Sequence, residues 1–149
     1  MDLKQFVKEI VKKSNDLRIK HTSEQAVVNY ACVFCQSDEQ YEALVTDAKE
    51  FGKVIDETPT GPLFQIELET VVGKLRLLKI RKPDATRPEL GDADFTVGNY
   101  DDFKKKYLSR KGFKLIERKD FEMIELIDNE FNVRAYFSSV PLVKQLGLE

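Results

Sequence analysis

Two aspartates in the segment GDADFTV, Asp92 and Asp94, are the residues whose type and spacing best fit a chemical site. Side chains of a β-strand alternate between its two faces, so in a strand both acids share one face with Thr96. The opposite face is then apolar and consists of Ala93, Phe95 and Val97. We expect the apolar face to pack against helices and the two carboxylates to face a cavity.

Two further strands obey the same alternation. In AVVNYACVF, residues 26–34, Tyr30 and Cys32 share a face, and in NVRAYF Arg134 and Tyr136 share a face. We expect these side chains to join the aspartates around the cavity. Carboxylate, guanidinium and phenol groups together suit a small polar molecule that carries an anionic group.

A structural ion network is an alternative role for Asp92 and Asp94. Arg81, Arg87 and Arg134 are the basic residues that such a network would use. Opposite charges that lie within a few ångströms stabilise each other's ionised form, and ion networks of this kind need no ligand.

A triphosphate tunnel is a second alternative. The acids Glu67 and Glu69 alternate in IELE, and the bases Arg76, Lys79 and Arg81 alternate shortly after them. In tunnel enzymes the acids hold a metal ion and the bases hold phosphates. Cross-strand charge pairing on a half-exposed sheet explains the same pattern without a ligand.

The elements that must position these residues recur in one order, which predicts a single α+β domain over residues 1–149. Phe6, Ile10 and Val11 have helical spacing behind Asp2, a good N-cap, and predict a helix over residues 1–15. A polar loop follows over residues 16–25, and Ser37 with Gln40 forms a capping-box pattern before the next helix. The predicted parts are the N-terminal helix (1–15), a first βαβββ module (26–82), a second βαβββ module (90–137) and a C-terminal tail (138–149).

The two modules also match in detail. Tyr41 and Tyr100 open their helices at similar places, and KVID at residues 53–56 matches KLIE at residues 114–117. The shared order of elements carries more weight than these identities, and it indicates a tandem duplication. We expect one curved mixed sheet with the helices outside it.

A doubled βαβββ unit of this length resembles the vicinal-oxygen-chelate superfamily, which includes glyoxalases and extradiol dioxygenases, and within it the YecM-like branch. The resemblance covers roughly residues 26–137 and rests on element order, on VNYACVFCQSDEQYEAL as strand then helix, and on the connector into GDADFTV. It implies that each module curls into a half-barrel and that the pair encloses a cavity. It also implies that modules pair within one chain or between two, so the protein is expected to be a monomer or a homodimer.

The resemblance further implies metal ligands, typically His and Glu, on the first and last strands of each module. Those positions fall here at or near Tyr30 and Asp92, at Lys79 or Arg81, and at Arg134 or Tyr136. Tyr, Lys and Arg are not usual ligands of divalent ions, so we expect no metal and no cofactor. The expected ligand-binding residues are Tyr30, Lys79, Arg81, Asp92, Asp94, Arg134 and Tyr136.

The resulting functional hypothesis is a metal-independent protein that binds a small polar or anionic molecule, with no reaction assigned. One alternative is an enzyme of the same fold that recruits a divalent ion through Asp92, Asp94 or Glu67, because carboxylates suit hard cations. Another is a structural or interaction domain whose cavity is filled by its own side chains.

The composition of the chain limits the classes of molecule that we expect it to bind. The chain has 149 residues, a net charge of −2 and 34% charged residues, so no global positive field would gather nucleic acid or acidic membranes. No apolar run approaches the ~20 residues that span a bilayer, and the N-terminus lacks the apolar core of a signal peptide. We therefore expect a cytoplasmic protein without nucleic-acid or membrane partners.

The two cysteines, Cys32 and Cys35, form a C-x-x-C pattern. Residues three apart on a strand point to opposite faces, so a disulfide between them has poor geometry. A redox role is not expected, and one cysteine pair with the single histidine, His21, does not form a zinc-binding set.

Overall fold

One mixed sheet of eight strands forms the body of the protein, with helices packed on it. The structure, a computed structural model, describes residues 2–148; Met1 and Glu149 lie outside the described residues. The helices are α1 (Leu3–His21), α2 (Asp38–Lys49), α3 (Tyr100–Tyr107) and α4 (Leu142–Gln145). The strands are β1 (Ala26–Phe34), β2 (Lys53–Thr58), β3 (Gly61–Thr70), β4 (Gly73–Arg81), β5 (Gly91–Val97), β6 (Phe113–Glu117), β7 (Glu122–Leu126) and β8 (Arg134–Ser138).

The strand order across the sheet is β2-β3-β4-β1-β5-β8-β7-β6. Strand β1 runs parallel to β4, β5 runs parallel to β8, and the remaining neighbours are antiparallel. The antiparallel pair β1–β5 therefore lies at the centre and joins the strands before residue 82 to those after residue 90. The predicted α+β class with a mixed sheet is confirmed.

The main hydrophobic core lies between the sheet and helices α1, α2 and α3. It contains fully buried residues of α1, such as Val7 and Ile10, together with Ala93 and Phe95 of β5 and Phe103 of α3. Burying a large aliphatic or aromatic side chain contributes roughly 1.5–3 kcal/mol relative to leaving it in water. This face of the sheet is where most of the stabilising apolar burial occurs.

Helix α1 is longer than predicted, and the loop expected from residue 16 is wrong up to His21. Asp2 caps the helix as expected, since its side chain accepts a hydrogen bond from the Gln5 backbone N–H at 2.8 Å. The apolar stripe continues past residue 15 through Leu17, which is fully buried. The next residue, Arg18, is charged, so the sequence does not indicate that the buried stripe continues there. In the structure its guanidinium packs over the Phe95 ring, 5.7 Å from the centroid.

One of the two hydrogen bonds of the predicted capping box of α2 is present, and the other goes to a different backbone N–H. Ser37 Oγ accepts a hydrogen bond from the Gln40 backbone N–H at 3.1 Å. The Gln40 side chain accepts from the backbone N–H of Gln36 rather than that of Ser37, at 2.7 Å. Both bonds satisfy donors that would otherwise have no partner near the start of the helix.

The predicted C-terminal tail is wrong for residues 142–145, which form α4 directly after Pro141. Helix α4 lies on the face of the sheet opposite to the main core. There Val143 packs with Leu63 and Leu77 in a second, small apolar cluster that also contacts Tyr30. This helix therefore covers part of the face on which we expected the cavity.

No helix within residues 2–148 combines the length and the apolar content that a membrane crossing requires. Helix α1 has 19 residues, the most of the four, and most of its exposed positions are Lys, with Gln5, Asp16 and Ile19 at the others.

The close approach of β1 and β5 depends on Gly91. A Cβ at this position would lie 2.2 Å from the Cys32 carbonyl oxygen, far inside contact distance. At Gly98, one residue beyond β5, an added Cβ would meet no atom within 4 Å.

We predict that Gly91→Ala lowers the free energy of unfolding by about 1–3 kcal/mol or more, because the added methyl group forces the central strands apart. Gly98→Ala, the matched control, should change it by no more than about 0.5 kcal/mol. Urea unfolding followed by circular dichroism measures both. Equal effects of the two substitutions would contradict the role given to the β1–β5 contact.

Candidate functional site

Strand β5 turns its two aspartates away from the helices. Ala93 and Phe95 are fully buried in the main core, whereas Asp92 and Asp94 lie on the opposite face, as the alternation predicts. Despite their charge the two acids are only 7% and 3% exposed, respectively. Both carboxylates are therefore buried on the face that α4 partly covers.

The strand registers surround these acids with the predicted neighbours. Asp92 lies between Cys32 of β1 and Arg134 of β8, and Asp94 lies between Tyr30 and Tyr136. In a sheet, residues paired in register point to the same face. The residues that alternation alone assigned to one face are thus neighbours across three central strands.

A cavity of about 150 Å³ opens over the acids, and we call it the carboxylate cavity. Five of the seven predicted residues line it, and these are Tyr30, Arg81, Asp92, Asp94 and Tyr136. Cys32 and Arg87 complete the polar part of its wall, and Ile116 and Met123 supply apolar surface. Arg118, just beyond β6, lies at its edge.

A second cavity of about 310 Å³ adjoins the first, and we call it the lysine cavity because Lys79 lines it. The two cavities share Tyr30, Asp94, Arg118 and Met123. Leu142 and Leu146 from the α4 region, with Phe121 from the β6–β7 hairpin, give it apolar walls. Helix α4 and this hairpin, both distant in sequence from β5, therefore shape the space above the acids.

Arg134 lines neither cavity, which corrects the prediction for this residue. Its Nε lies 3.0 Å from Glu89 Oε2, and its Nη1 lies 3.4 Å from Glu125 Oε2. Its Nη2 also donates to the Thr86 carbonyl oxygen at 2.7 Å. The alternation predicted the correct face of the strand, but Glu89 and Glu125 hold the guanidinium beside the cavity wall instead of in the cavity.

Tyr136 is held by the same network. Its hydroxyl donates to Glu125 Oε2 at 2.6 Å, and Arg87 Nη1 donates to the tyrosine oxygen at 3.4 Å. The Tyr136 ring therefore forms a fixed wall of the carboxylate cavity, with its hydroxyl already committed to partners within the protein.

The ion network that was the alternative role for Asp92 and Asp94 is wrong. Within residues 2–148, no Lys, Arg or His nitrogen lies within 4.0 Å of either carboxylate. Arg81 and Arg87 turn instead to Asp84 of the connector between β4 and β5. The distances are 3.4 Å from Arg81 Nη2 and 3.7 Å from Arg87 Nε to Asp84 Oδ2.

Burial dominates the electrostatics of the acid pair. Desolvation, followed by the charge of Asp94, raises the pKa of Asp92 to about 7, against the pull of Arg87, Arg134 and Arg81. Desolvation raises the pKa of Asp94 to about 6, although the Ser138 hydroxyl donates to it and the Asn29 side chain and the backbone N–H groups of Ser138 and Phe95 also favour its charged form. Near neutral pH the pair therefore holds roughly one proton between its two carboxylates.

The acid pair has unused hydrogen-bonding capacity. Ser138 bonds one oxygen of Asp94, but the other, Oδ1, is buried and accepts no hydrogen bond from the described part of the chain. Among residues 2–148 no side chain donates to the Asp92 carboxylate, which faces the cavity. Leaving such a buried acceptor without a partner costs roughly 1–3 kcal/mol, so the site favours a molecule that brings donors.

The thiols and the tyrosine of β1 are neutral at physiological pH. Burial raises the pKa of Tyr30 and of Cys32 well above their ordinary values, and raises that of Cys35 to about 11. Cys32 lines the carboxylate cavity, whereas Cys35 packs in the main core, and both are free. The predicted opposite orientation of the two cysteines is confirmed, and neither offers a reactive thiolate.

The side chains around the cavities do not fit a divalent metal ion. Within residues 2–148 no three His, Cys, Asp or Glu side chains gather closely enough to hold one. Only Asp92 and Asp94 offer acidic oxygens to the carboxylate cavity, and Arg81 and Arg87 in its wall oppose a cation. Glu67, the third acid considered for such a site, is exposed on β3 and lines neither cavity.

The tunnel arrangement of IELE with the following bases does not form either. Glu67 and Glu69 are exposed, and Glu69 Oε1 lies 3.9 Å from Lys74 Nζ on the neighbouring strand. Glu69 on β3 and Lys74 on β4 lie directly opposite each other in the sheet. Cross-strand pairing, the simpler explanation, accounts for this contact.

Comparisons with known proteins address the fold. No protein-family model and no curated protein matches the sequence. The chain is similar to the solved structure described as "Structural Genomics, Protein EC4020", with a TM-score of 0.72 and 10% sequence identity. The match covers 97% of this chain and 90% of that one. Identity this low shows a shared fold and nothing about function.

Sequence reasoning missed Arg118 as a residue of the site. It follows the last residue of β6, where alternation no longer assigns a face, and it reaches both cavities only because the β6–β7 hairpin folds over the sheet. Its position at a turn in a charged stretch, IERKDF, gave no signal that distinguishes it from an ordinary solvated residue.

The raised pKa of Asp92 predicts a specific dependence of stability on pH. The folded protein binds this proton more tightly than the unfolded chain, so the resulting stabilisation is complete below the ordinary pKa of 3.8 and disappears as the pH rises through about 7. Asn keeps the shape of the protonated acid but never ionises. In free energy of unfolding, Asp92→Asn should therefore exceed the wild type by about 1 kcal/mol near pH 4.5 and by about 3–4 kcal/mol at pH 8.

Urea unfolding at several pH values between 4.5 and 8 measures this difference. Asp47→Asn, which changes an exposed aspartate on α2, is the matched control and should run parallel to the wild type. An Asp92→Asn protein that is less stable than the wild type at pH 8 would show that the Asp92 charge has a stabilising partner.

Proposed function

We propose that this protein binds a small polar or anionic molecule, without a metal ion, in the two adjoining cavities above strands β1, β4, β5 and β8. One observation carries the proposal. Asp92 and Asp94 are almost completely buried, line a cavity, and retain oxygens to which the described part of the protein donates no hydrogen bond. Protein interiors rarely keep such groups unless a ligand or solvent satisfies them.

The energetics of the pair support binding over a purely structural role. Burying two neighbouring carboxylates raises both pKa values, which means that ionisation of the pair makes the fold less stable at neutral pH than it is with both acids protonated. Functional sites commonly carry such a stability deficit, because the same groups are satisfied when the ligand binds. Cavities of about 150 and 310 Å³ also oppose the hypothesis of a domain filled by its own side chains.

We further propose that the chain consists of two βαβββ modules and is of the vicinal-oxygen-chelate type, close to its YecM-like branch. The parallel return of β4 to β1 and of β8 to β5 supports this, as does the mirrored strand order on the two sides of the β1–β5 pair. The positions at which the superfamily carries metal ligands then correspond to Tyr30, Arg81, Asp92 and Tyr136 around the carboxylate cavity. In this proposal the protein binds its ligand at the place where the superfamily binds its metal ion, but it uses no metal ion.

A binding screen tests the proposal. We predict that at least one compound in a set of small carboxylates, hydroxy acids, amines and amino acids raises the melting temperature and binds with 1:1 stoichiometry in isothermal titration calorimetry. If that compound carries an amine, Asp94→Asn should weaken its binding at least tenfold, equivalent to about 1.4 kcal/mol, because Asp94 lines both cavities. Asp47→Asn should bind it as the wild type does.

Titration with Mn²⁺, Ni²⁺ and Zn²⁺ in the same calorimeter examines the competing hypothesis. Tight stoichiometric binding of one of these ions that is lost in Asp92→Ala would replace the proposal by a metal-dependent one. Failure of every compound and every ion to bind would contradict both hypotheses and favour a structural domain.

A further inference from the structure

Two positively charged side chains at the lysine cavity have no partner of opposite charge within residues 2–148. Lys79 is half-buried on β4, and within residues 2–148 its Nζ has no carboxylate within 4.0 Å and makes no hydrogen bond. The Arg118 guanidinium, which lies at the edge of both cavities, likewise has neither an ion pair nor a side-chain hydrogen bond in this part of the chain. Desolvation lowers the pKa of Lys79, so its charge is also costly without an anion nearby.

The other cations near the cavities differ in this respect. Arg81 and Arg87 pair with Asp84, and Arg134 pairs with Glu89 and Glu125. The cations that remain free to meet a ligand are thus Lys79 and Arg118.

The unpaired acids and the unpaired cations occupy different parts of the space. Asp92 lines only the carboxylate cavity, Lys79 lines only the lysine cavity, and Asp94 and Arg118 line both. Asp56 also lines the lysine cavity, and both Asp56 and Arg118 are exposed, so solvent screens their charges more strongly than those of Asp92, Asp94 and Lys79. The site therefore has an acidic end and a basic end, each without a partner of opposite charge.

The size and lining of the cavities limit the ligand further. A cavity of about 150 Å³ accommodates a molecule the size of benzene, with about six non-hydrogen atoms. The lysine cavity adds about 310 Å³, with apolar surface from Leu63, Phe121, Leu142 and Leu146. A compact molecule with two charged groups and a short apolar chain matches this combination.

We propose that the ligand is a zwitterion of amino-acid size, whose ammonium group is bound by Asp92 and Asp94 and whose carboxylate is bound by Lys79 and Arg118. This inference rests on the proposed function and specifies the class of molecule that the same site takes. A simple carboxylate would leave the acid pair without donors, and a simple amine would leave Lys79 and Arg118 without an anion.

Binding an ammonium group also changes the protonation of the acid pair. The pair holds roughly one proton near neutral pH, and a cation between the carboxylates favours loss of that proton. Affinity for the zwitterion should therefore rise between pH 5.5 and 8. The charged or titratable groups around the pair are Tyr30 and Cys32 of β1, Asp56 of β2, Lys79 and Arg81 of β4, Arg87 of the connector, Arg118 of the hairpin, and Arg134 and Tyr136 of β8.

Four probes of nearly one shape test the proposal by isothermal titration calorimetry at pH 7.5. They are leucine, 2-hydroxy-4-methylpentanoate, 4-methylpentanoate and 3-methylbutylamine, which differ in whether they carry both charges, a hydroxyl in place of the ammonium group, or one charge alone. We expect leucine to bind at least tenfold more tightly than each of the other three.

Variants assign the two ends of the site. Lys79→Met and Arg118→Met should each lower the affinity for leucine at least tenfold. The affinity for 3-methylbutylamine should stay within about twofold, because these substitutions change only the end of the site that binds the carboxylate. Asp92→Asn and Asp94→Asn should each lower the affinity for leucine and leave the affinity for 4-methylpentanoate within about twofold of the wild-type value. Lys49→Met, which changes an exposed lysine of α2, is the matched control and should have no effect.

Two results would overturn the zwitterion and leave the proposed function intact. One is equal or tighter binding of the hydroxy acid, of 4-methylpentanoate or of 3-methylbutylamine. The other is a failure of leucine and of every amino acid in the broader screen, in a protein that binds another compound of that screen. If no probe and no compound of that screen binds, both the inference and the proposed function fail.

Discussion

The antiparallel contact between β1 and β5 determines what the rest of the molecule can do. It joins the four strands before residue 82 to the four after residue 90, and the strands approach so closely that only glycine fits at residue 91 against the Cys32 carbonyl. Helix α1 crosses behind this junction, where Ser14 Oγ donates to the Arg134 carbonyl oxygen at 3.0 Å. A strand fixed in this way on both edges and on one face has little freedom to move its side chains.

This constraint explains why the two acids are both buried and unpaired. Phe95 and Ala93 must face the helices, so alternation forces Asp92 and Asp94 to the other face at the centre of the sheet, where water has least access. Desolvation there exceeds the attraction of the surrounding arginines, whose charges act from a distance and do not form contacts. The raised pKa values are a consequence of the backbone position of β5 and do not require an unusual local geometry.

The sequence was sufficient to predict which face of the sheet these strand residues occupy, but not which side chains they contact. Period-two alternation correctly assigned Tyr30, Asp92, Asp94 and Tyr136 to one face, because it depends only on local backbone geometry. It could not show that Arg134 turns to Glu89 and Glu125, since that depends on the path of the connector and on the register of β7. The length of α1 was missed for a similar reason, because Arg18 is polar in sequence and is buried through its contact with Phe95 and its hydrogen bonds to Asn15 and the Glu24 carbonyl oxygen.

The connector between β4 and β5 has a more specific role than its charge density suggests. Asp84 accepts hydrogen bonds from the Thr86 backbone N–H at 2.9 Å and from the Thr86 hydroxyl at 2.7 Å, which fix its carboxylate in place. From that position it holds Arg81 and Arg87, the two cations of the cavity wall that would otherwise be available to Asp92. An ion pair with Asp92 would lower its pKa and satisfy its oxygens, and the acid pair would then have little affinity for a ligand. The connector therefore keeps the buried carboxylates free because its own acid competes for the arginines.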